Sequence, residues 1–215
     1  MSNQNQSWGI LPTQQDEDNT RAHAVSDPAG YHAGIAGREL HWFDGNTQSW
    51  ISQTDTGEWA GWHDRDASSA HADASWQPWS HPLDDSLAPY YRWFVDGQTN
   101  ACFNLIDRHV LSGRGDQIAI VFEGDRWDPS KNDGRGGPVH EQRVTYRELL
   151  VEVALRTRVL KQADLSCGDR VALNLPNVLE QIFYILACQR LGVIYTPVFG
   201  GFSAKTLSDR IHDAG

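Results

Sequence analysis

Asp169-Arg170-Val171-Ala172-Leu173-Asn174-Leu175-Pro176-Asn177 and, after an apolar stretch, Val193-Ile194-Tyr195-Thr196-Pro197-Val198-Phe199-Gly200-Gly201-Phe202-Ser203 decide the fold of this chain. The first run is β-rich and ends at Pro176-Asn177, which breaks a strand and starts a helix. Val178 to Leu191 is apolar nearly all round, with Ile182, Phe183, Ile185, Leu186, Ala187 and Cys188, so it reads as a buried helix. Gly192 stops it, and Val193–Val198 is the next strand. A strand, a helix and a strand in so few residues make a βαβ crossover with parallel strands, right-handed by the chirality of such connections. Phe199 to Phe202 is then a tight turn at the carboxyl end of that strand, and Ser203 caps a last helix through Ile211. A parallel sheet is covered on both faces and needs several strands. The pattern therefore calls for a further parallel strand after Ala214-Gly215, and an α/β domain that begins here is expected to continue past it.

Upstream of this unit, Thr145-Tyr146-Arg147-Glu148 is a capping box, which predicts a helix from Tyr146 to about Gln162. Gln117–Glu123 and Glu141–Tyr146 read as two strands of a hairpin, joined by the long polar, Gly-rich loop Asp125–Pro138. Asn100 caps a predicted α-helix over Ala101–Leu111, with Phe103, Ile106, Val110 and Leu111 at helical spacing and Gly113 beyond its end. These pieces belong with residues 89–215, the start of the α/β domain.

Residues 38–88 have a different texture. Seven of the nine tryptophans, Trp42, Trp50, Trp59, Trp62, Trp76, Trp79 and Trp93, fall between positions 38 and 94. His41–Ser52 reads as a hairpin around Gly45-Asn46. Further short strands and turns follow at Asp55-Thr56-Gly57 and Gly61–Asp64, and Asp64–Ala74 reads as an exposed loop. The region is an irregular or β layer, and two roles stand open for it: an aromatic platform for a sugar or a Pro-rich peptide, or a layer that packs with large aromatics where its own core is thin. Residues 1–37 read as a disordered tail, the first thirty being rich in Gln, Asn and Asp with little to bury.

The chain of 215 residues carries a formal net charge of -10, which argues against non-specific nucleic-acid binding and against an anionic membrane surface. No basic and apolar leader is present at the start and no apolar run could span a bilayer, so a cytoplasmic protein without a membrane partner is expected. Cys102, Cys167 and Cys188 show no metal-ligand or CxxC spacing and read as reduced thiols. The histidines form no HxxxH or HxH cluster, so no metal site is predicted. Asp133-Gly134-Arg135-Gly136-Gly137-Pro138 resembles a phosphate cradle in composition. It lies between hairpin strands rather than before a helix, so a surface loop is the expectation. Arg114-Gly115-Asp116 is a turn before a strand.

The place where open α/β sheets bind ligands is just beyond the carboxyl ends of the strands. Phe199-Gly200-Gly201 sits there, its glycines permit close approach to the backbone, and Ser203 opens a helix. On spacing alone, a ligand site and a plain βα turn are equally supported.

Residues from Tyr91 onward resemble a known family. The resemblance is carried by Tyr91-Arg92-Trp93-Phe94-Val95-Asp96-Gly97, Asn100-Ala101-Cys102-Phe103-Asn104, Asp107-Arg108-His109, Val144–Leu149, Gly168–Ala172, Val198–Ser203 and Leu207–Ile211. In this order and spacing they look like AMP-forming acetyl- and propionyl-CoA synthetases of the adenylate-forming superfamily. Tyr195-Thr196-Pro197 stands where acetate enzymes usually show a His-Ser-like pair. With the Asp125–Pro138 insertion and the His41-Trp42-Phe43-Asp44 lead-in, it is most similar to the synthetase part of multifunctional propionyl-CoA synthases, which activate 3-hydroxypropionate.

The resemblance implies an incomplete N-terminal part of the large adenylate-forming domain. It implies ATP, CoA and Mg2+ as the complete enzyme's reactants and cofactor, and a small carboxylic acid as substrate. The acid is converted to an acyl-adenylate, from which the CoA thiol displaces AMP. Phe199, Gly200 and Gly201 would lie against the CoA adenine. No catalytic, ATP-binding or metal residue is expected in this chain, because the family's Lys-ended Ser/Thr/Gly-rich loop, its Tyr-x-x-Thr-Glu segment and its C-terminal lid lysine do not occur here. The partner implied is the remainder of the synthetase polypeptide, with a homodimer left open. A non-catalytic truncated paralogue, acting as a binding or interaction module, is the other expectation.

Overall fold

The computed structural model describes residues 13–53, 58–61 and 76–215. Asp55–Gly57 and the whole Asp64–Ala74 loop, like Trp62, lie outside the described residues. The chain divides into two compact units, one up to Thr99 and one from Asn100 onward.

The first unit opens with two helices, α1 (Gln14–Ser26) and α2 (Pro28–Glu39), where an unstructured tail was expected. Local capping explains the difference. Thr13 accepts the Asp16 N–H at 3.2 Å and Asp27 accepts the Gly30 N–H at 2.9 Å, with Pro28 pre-set for the first helical turn. Composition did not register these caps. α1 buries no residue, whereas α2 buries Ala36 and Gly37.

The hairpin predicted around Gly45 is present as β1 (Trp42–Asp44) and β2 (Ser49–Gln53), antiparallel, with β3 (Trp59–Gly61) added to the other side of β2. Buried Asp44 organises the turn by accepting the Asn46 N–H at 3.0 Å and the Thr47 hydroxyl at 2.7 Å. β4 (His81–Asp84) and β5 (Arg92–Val95) form a separate antiparallel pair. Trp42, Ile51, Trp59 and Ala36 make the core, flanked by Trp79 and Phe94. Trp42 meets Trp79 edge-on at 4.8 Å between centroids, and its indole N–H donates to the Ala36 carbonyl at 3.0 Å. Each such edge-to-face pair is worth about 1 kcal/mol beyond its buried area. Trp42, Trp59 and Trp79 thus serve as packing, the second of the two roles open to this layer.

The second unit begins at Asn100. Its side-chain oxygen accepts the Phe103 N–H at 3.0 Å, as a cap should, while its amide donates to the carbonyls of Gln189 and Arg190, each at 3.2 Å. One side chain thereby starts one helix and finishes another. The first is not the regular α-helix predicted. It contains two π-helical stretches, Phe103–Asp107 and Val110–Arg114, and Gly113 leaves helical geometry with φ 82°. The wider winding shifts the inward face, so Cys102, Asn104, Ile106 and His109 are buried while Phe103 and Val110 are only partly so.

β6 (Ile118–Glu123) pairs antiparallel with β9 (Glu141–Thr145), as the hairpin reading required. The intervening loop holds β7 (Trp127–Asp128), the single turn α3 (Lys131–Gly134) and β8 (Gly137–Pro138). The Lys131 ammonium donates to the carbonyl of Val139 at 3.2 Å, so the Gly-rich segment is closed on its own backbone. α4 (Tyr146–Gln162) starts at the predicted box, with Thr145 and Glu148 exchanging hydrogen bonds of 2.8 and 3.2 Å. β10 (Arg170–Leu175), α5 (Leu179–Leu191) and β11 (Ile194–Phe199) then form the βαβ unit, with the two strands parallel. α6 (Ala204–Ala214) follows, capped by Ser203. The core lies where α4 packs on α5, with Val153, Phe183, Ala187 and Cys188 at its centre.

Candidate functional site

The parallel register sets the rim of the sheet. Leu175 pairs with Phe199, so β10 and β11 end level, and the turns that follow them lie side by side. A Cβ at Gly200 would stand 3.3 Å from the Pro176 nitrogen, so glycine lets the second turn close onto the first. Within that turn, the Phe202 N–H donates to the Phe199 carbonyl at 3.0 Å. A Cβ at Gly201 would stand 2.8 Å from Cε1 of Phe199, so the absence of a side chain makes room for that ring. Ser203 then accepts the Thr206 N–H at 3.2 Å and α6 departs.

The turn presents aromatic surface to solvent. Phe199 is 59% exposed and Phe202 46% exposed, with ring centroids 5.8 Å apart and planes at 74°. The Arg210 guanidinium lies 5.6 Å from the Phe202 centroid. Such a surface can stack a planar base, and the backbone of two glycines can lie close to a ligand. Phe199, Gly200 and Gly201 are brought together as one patch. Phe202 and Arg210 complete it and were not singled out from the sequence. The usable signal was the second aromatic closing an i to i+3 turn, followed by a cation two helical turns along a capped helix.

Other sequence candidates resolve into structure. Among the described residues no three His, Cys, Asp or Glu side chains stand together as ligands for a metal ion. Cys102 and Cys188 are buried, which pushes both thiols up, Cys188 to about 11. His109 is buried against Tyr146, ring centroids 4.6 Å apart, and its Nδ1 has no partner. Burial, then the nearby Arg114 and Arg108 charges, lower its pKa to about 4, so it stays neutral near pH 7. No helix among the described residues is long and apolar enough to cross a membrane.

Comparison with known proteins shows the family to which the chain belongs. Residues 108–215, half of the chain, match the family described as AMP-binding enzyme, and residues 67–105 match the acetyl-coenzyme A synthetase N-terminus. The chain is 44% identical over 150 residues to an acetyl-coenzyme A synthetase of Methylobacillus flagellatus, covering 69% of this chain and 21% of that protein. It is 42% identical over 139 residues to the enzyme of the same name from Burkholderia lata, covering 65% of this chain and 19% of that protein. The chain spans about a fifth of the length of these relatives. With the two matches consecutive and in the order that the motifs from Tyr91 to Ile211 require, the chain belongs to the adenylate-forming family of AMP-binding enzymes.

Proposed function

We propose that this chain is the N-terminal portion of a cytoplasmic, AMP-forming short-chain acyl-CoA synthetase, and that Phe199, Gly200 and Gly201 form one wall of its CoA site. The observation that carries the reading is the exposed Phe-Gly-Gly turn on the carboxyl rim of a parallel sheet, in a chain of this family. In the complete reaction a carboxylate oxygen attacks the α-phosphorus of ATP, pyrophosphate leaves, and the CoA sulfur then attacks the acyl carbon of the adenylate and expels AMP. This chain supplies a stacking surface for CoA, while the ATP, Mg2+ and acid contacts come from the remainder of the polypeptide. The names of the relatives point to acetate. Tyr195-Thr196-Pro197, which departs from the acetate-type pair, keeps propionate and 3-hydroxypropionate as the acids to compare with it.

The surface of the second unit supports a larger domain. Val151, Leu155 and Val159 repeat every four residues along α4 and are 55%, 49% and 47% exposed, an apolar stripe that further chain would cover. A free-standing interaction module is less well supported, since the relatives are named as synthetases and the central tryptophans are spent on packing. ATP–pyrophosphate exchange with acetate, propionate and 3-hydroxypropionate tests the proposal. Exchange at the blank rate is expected from the purified 215-residue chain, and measurable exchange contradicts it. A thermal melt followed by light scattering tests the module reading, which requires a cooperative, non-aggregating transition.

A further inference from the structure

We infer that Arg210 is a positioning residue of the CoA-facing turn: its guanidinium holds the Phe202 ring, and through that ring Phe199, as a shelf for the adenine. The inference rests on the CoA reading proposed above. Its starting point is that both rings are largely exposed, which leaves little protein around them to fix their rotamers. Phe199 has two neighbours within the turn, Gly201, whose missing side chain leaves room for its ring, and Phe202, which it meets edge-on at 5.8 Å. Phe202 therefore decides where Phe199 stands, and something must hold Phe202.

Arg210 is the group in place to do so. Its Cζ lies 5.6 Å from the ring centroid, within the range at which a cation is attracted to an aromatic face. The helix keeps this charge available. Lys205 is paired with Asp209 at 2.8 Å, whereas among the described residues no carboxylate lies within ion-pair distance of Arg210. Arg210 is presented from the second turn of α6, a helix capped at its start by Ser203, the residue that ends the turn itself. Cap, turn and cation thus belong to one continuous stretch of chain, and the planar guanidinium suits stacking in a way that an ammonium does not.

Saturation-transfer difference NMR on the 215-residue chain with CoA reads this directly, because weak binding suffices. In the wild type, transfer is expected to the adenine protons more strongly than to the pantetheine methyls. Phe199→Ala should abolish it. Arg210→Gln should lower adenine transfer about threefold, the effect of losing one exposed cation–π contact, with amide shifts outside the turn and α6 unchanged. In a Phe202→Leu background the same Arg210→Gln change should do nothing further. Absence of adenine transfer in the wild type overturns the CoA reading. Transfer lost in Phe199→Ala but intact in Arg210→Gln overturns the role of Arg210 alone. A further loss on adding Arg210→Gln to Phe202→Leu also overturns it, since the arginine would then act on the ligand directly.

Discussion

Arg190, one residue from the end of α5, makes a two-pronged ion pair with Asp107 in the π-helical stretch, Nη1 to Oδ1 at 3.1 Å and Nη2 to Oδ2 at 2.5 Å. The two residues lie 83 positions apart in the chain, and the contact is mostly shielded from water. With Asn100 donating to the carbonyls of Gln189 and Arg190, it ties the irregular helix to the end of α5. The βαβ unit that carries the Phe-Gly-Gly turn is thus anchored at the opposite end of α5 from the turn.

Removing one partner of this pair leaves a half-buried charge uncompensated. Asp107→Ala is expected to cost about 3 kcal/mol of unfolding free energy. Arg190→Met combined with Asp107→Leu should recover part of that loss, because a well-packed apolar pair needs no desolvation. Urea unfolding of the single and double variants checks both numbers.

Gly192 ends α5 with φ 72°, and a Cβ there would stand 2.7 Å from the Cys167 sulfur. Gly192→Ala combines a left-handed backbone with a steric clash and is expected to destabilise by about 2 kcal/mol. Adding Cys167→Ala relieves the clash but not the backbone strain, so it should return only part of the loss, read from the same denaturant midpoints.

His109 gives the second unit an acid-sensitive element. Its folded-state pKa of about 4 lies below the ordinary value of 6.5, so between those pH values the unfolded chain binds the proton and the folded chain does not. Stability contributed by the neutral ring is therefore complete above pH 6.5 and is lost as pH falls toward 4. The slope approaches one proton, about 1.4 kcal/mol per pH unit. His109→Gln should remove that slope when unfolding free energy is measured across this range.

The three thiols should separate by exposure. Cys167 is exposed, whereas Cys102 and Cys188 are buried and have raised pKa values. A thiol-reactive chromophore at pH 8 is expected to modify Cys167 alone in the folded protein and all three after denaturation. Peptide mapping by mass spectrometry identifies the modified site.

Local sequence rules carried the second unit well, because its signals are strong and short-range. The Thr145–Glu148 box, the Pro176 break, the Gly192 stop and the Ser203 cap each fix a boundary through one or two hydrogen bonds or a backbone preference. The same logic was present at Thr13 and Asp27, but polar composition outweighed it and the helices Gln14–Ser26 and Pro28–Glu39 went unread. The π-helical winding after Asn100 was not legible, since it moves the apolar stripe off the period used to find it. At the candidate site, Phe199, Gly200 and Gly201 were visible as a motif. The contribution of Arg210 depends on a contact across a turn and a helix, which spacing alone does not reveal.

Backbone amide NMR tests the proposal that this chain brings a CoA-facing turn without an ATP site. Titration of the uniformly 15N-labelled chain with CoA should shift the amides of residues 199–203 and their neighbours in β10 and α6, while ATP with Mg2+ at the same concentration should shift no separate cluster. Unmoved amides at 199–203 with CoA, or a distinct set of residues responding to ATP, would overturn that proposal.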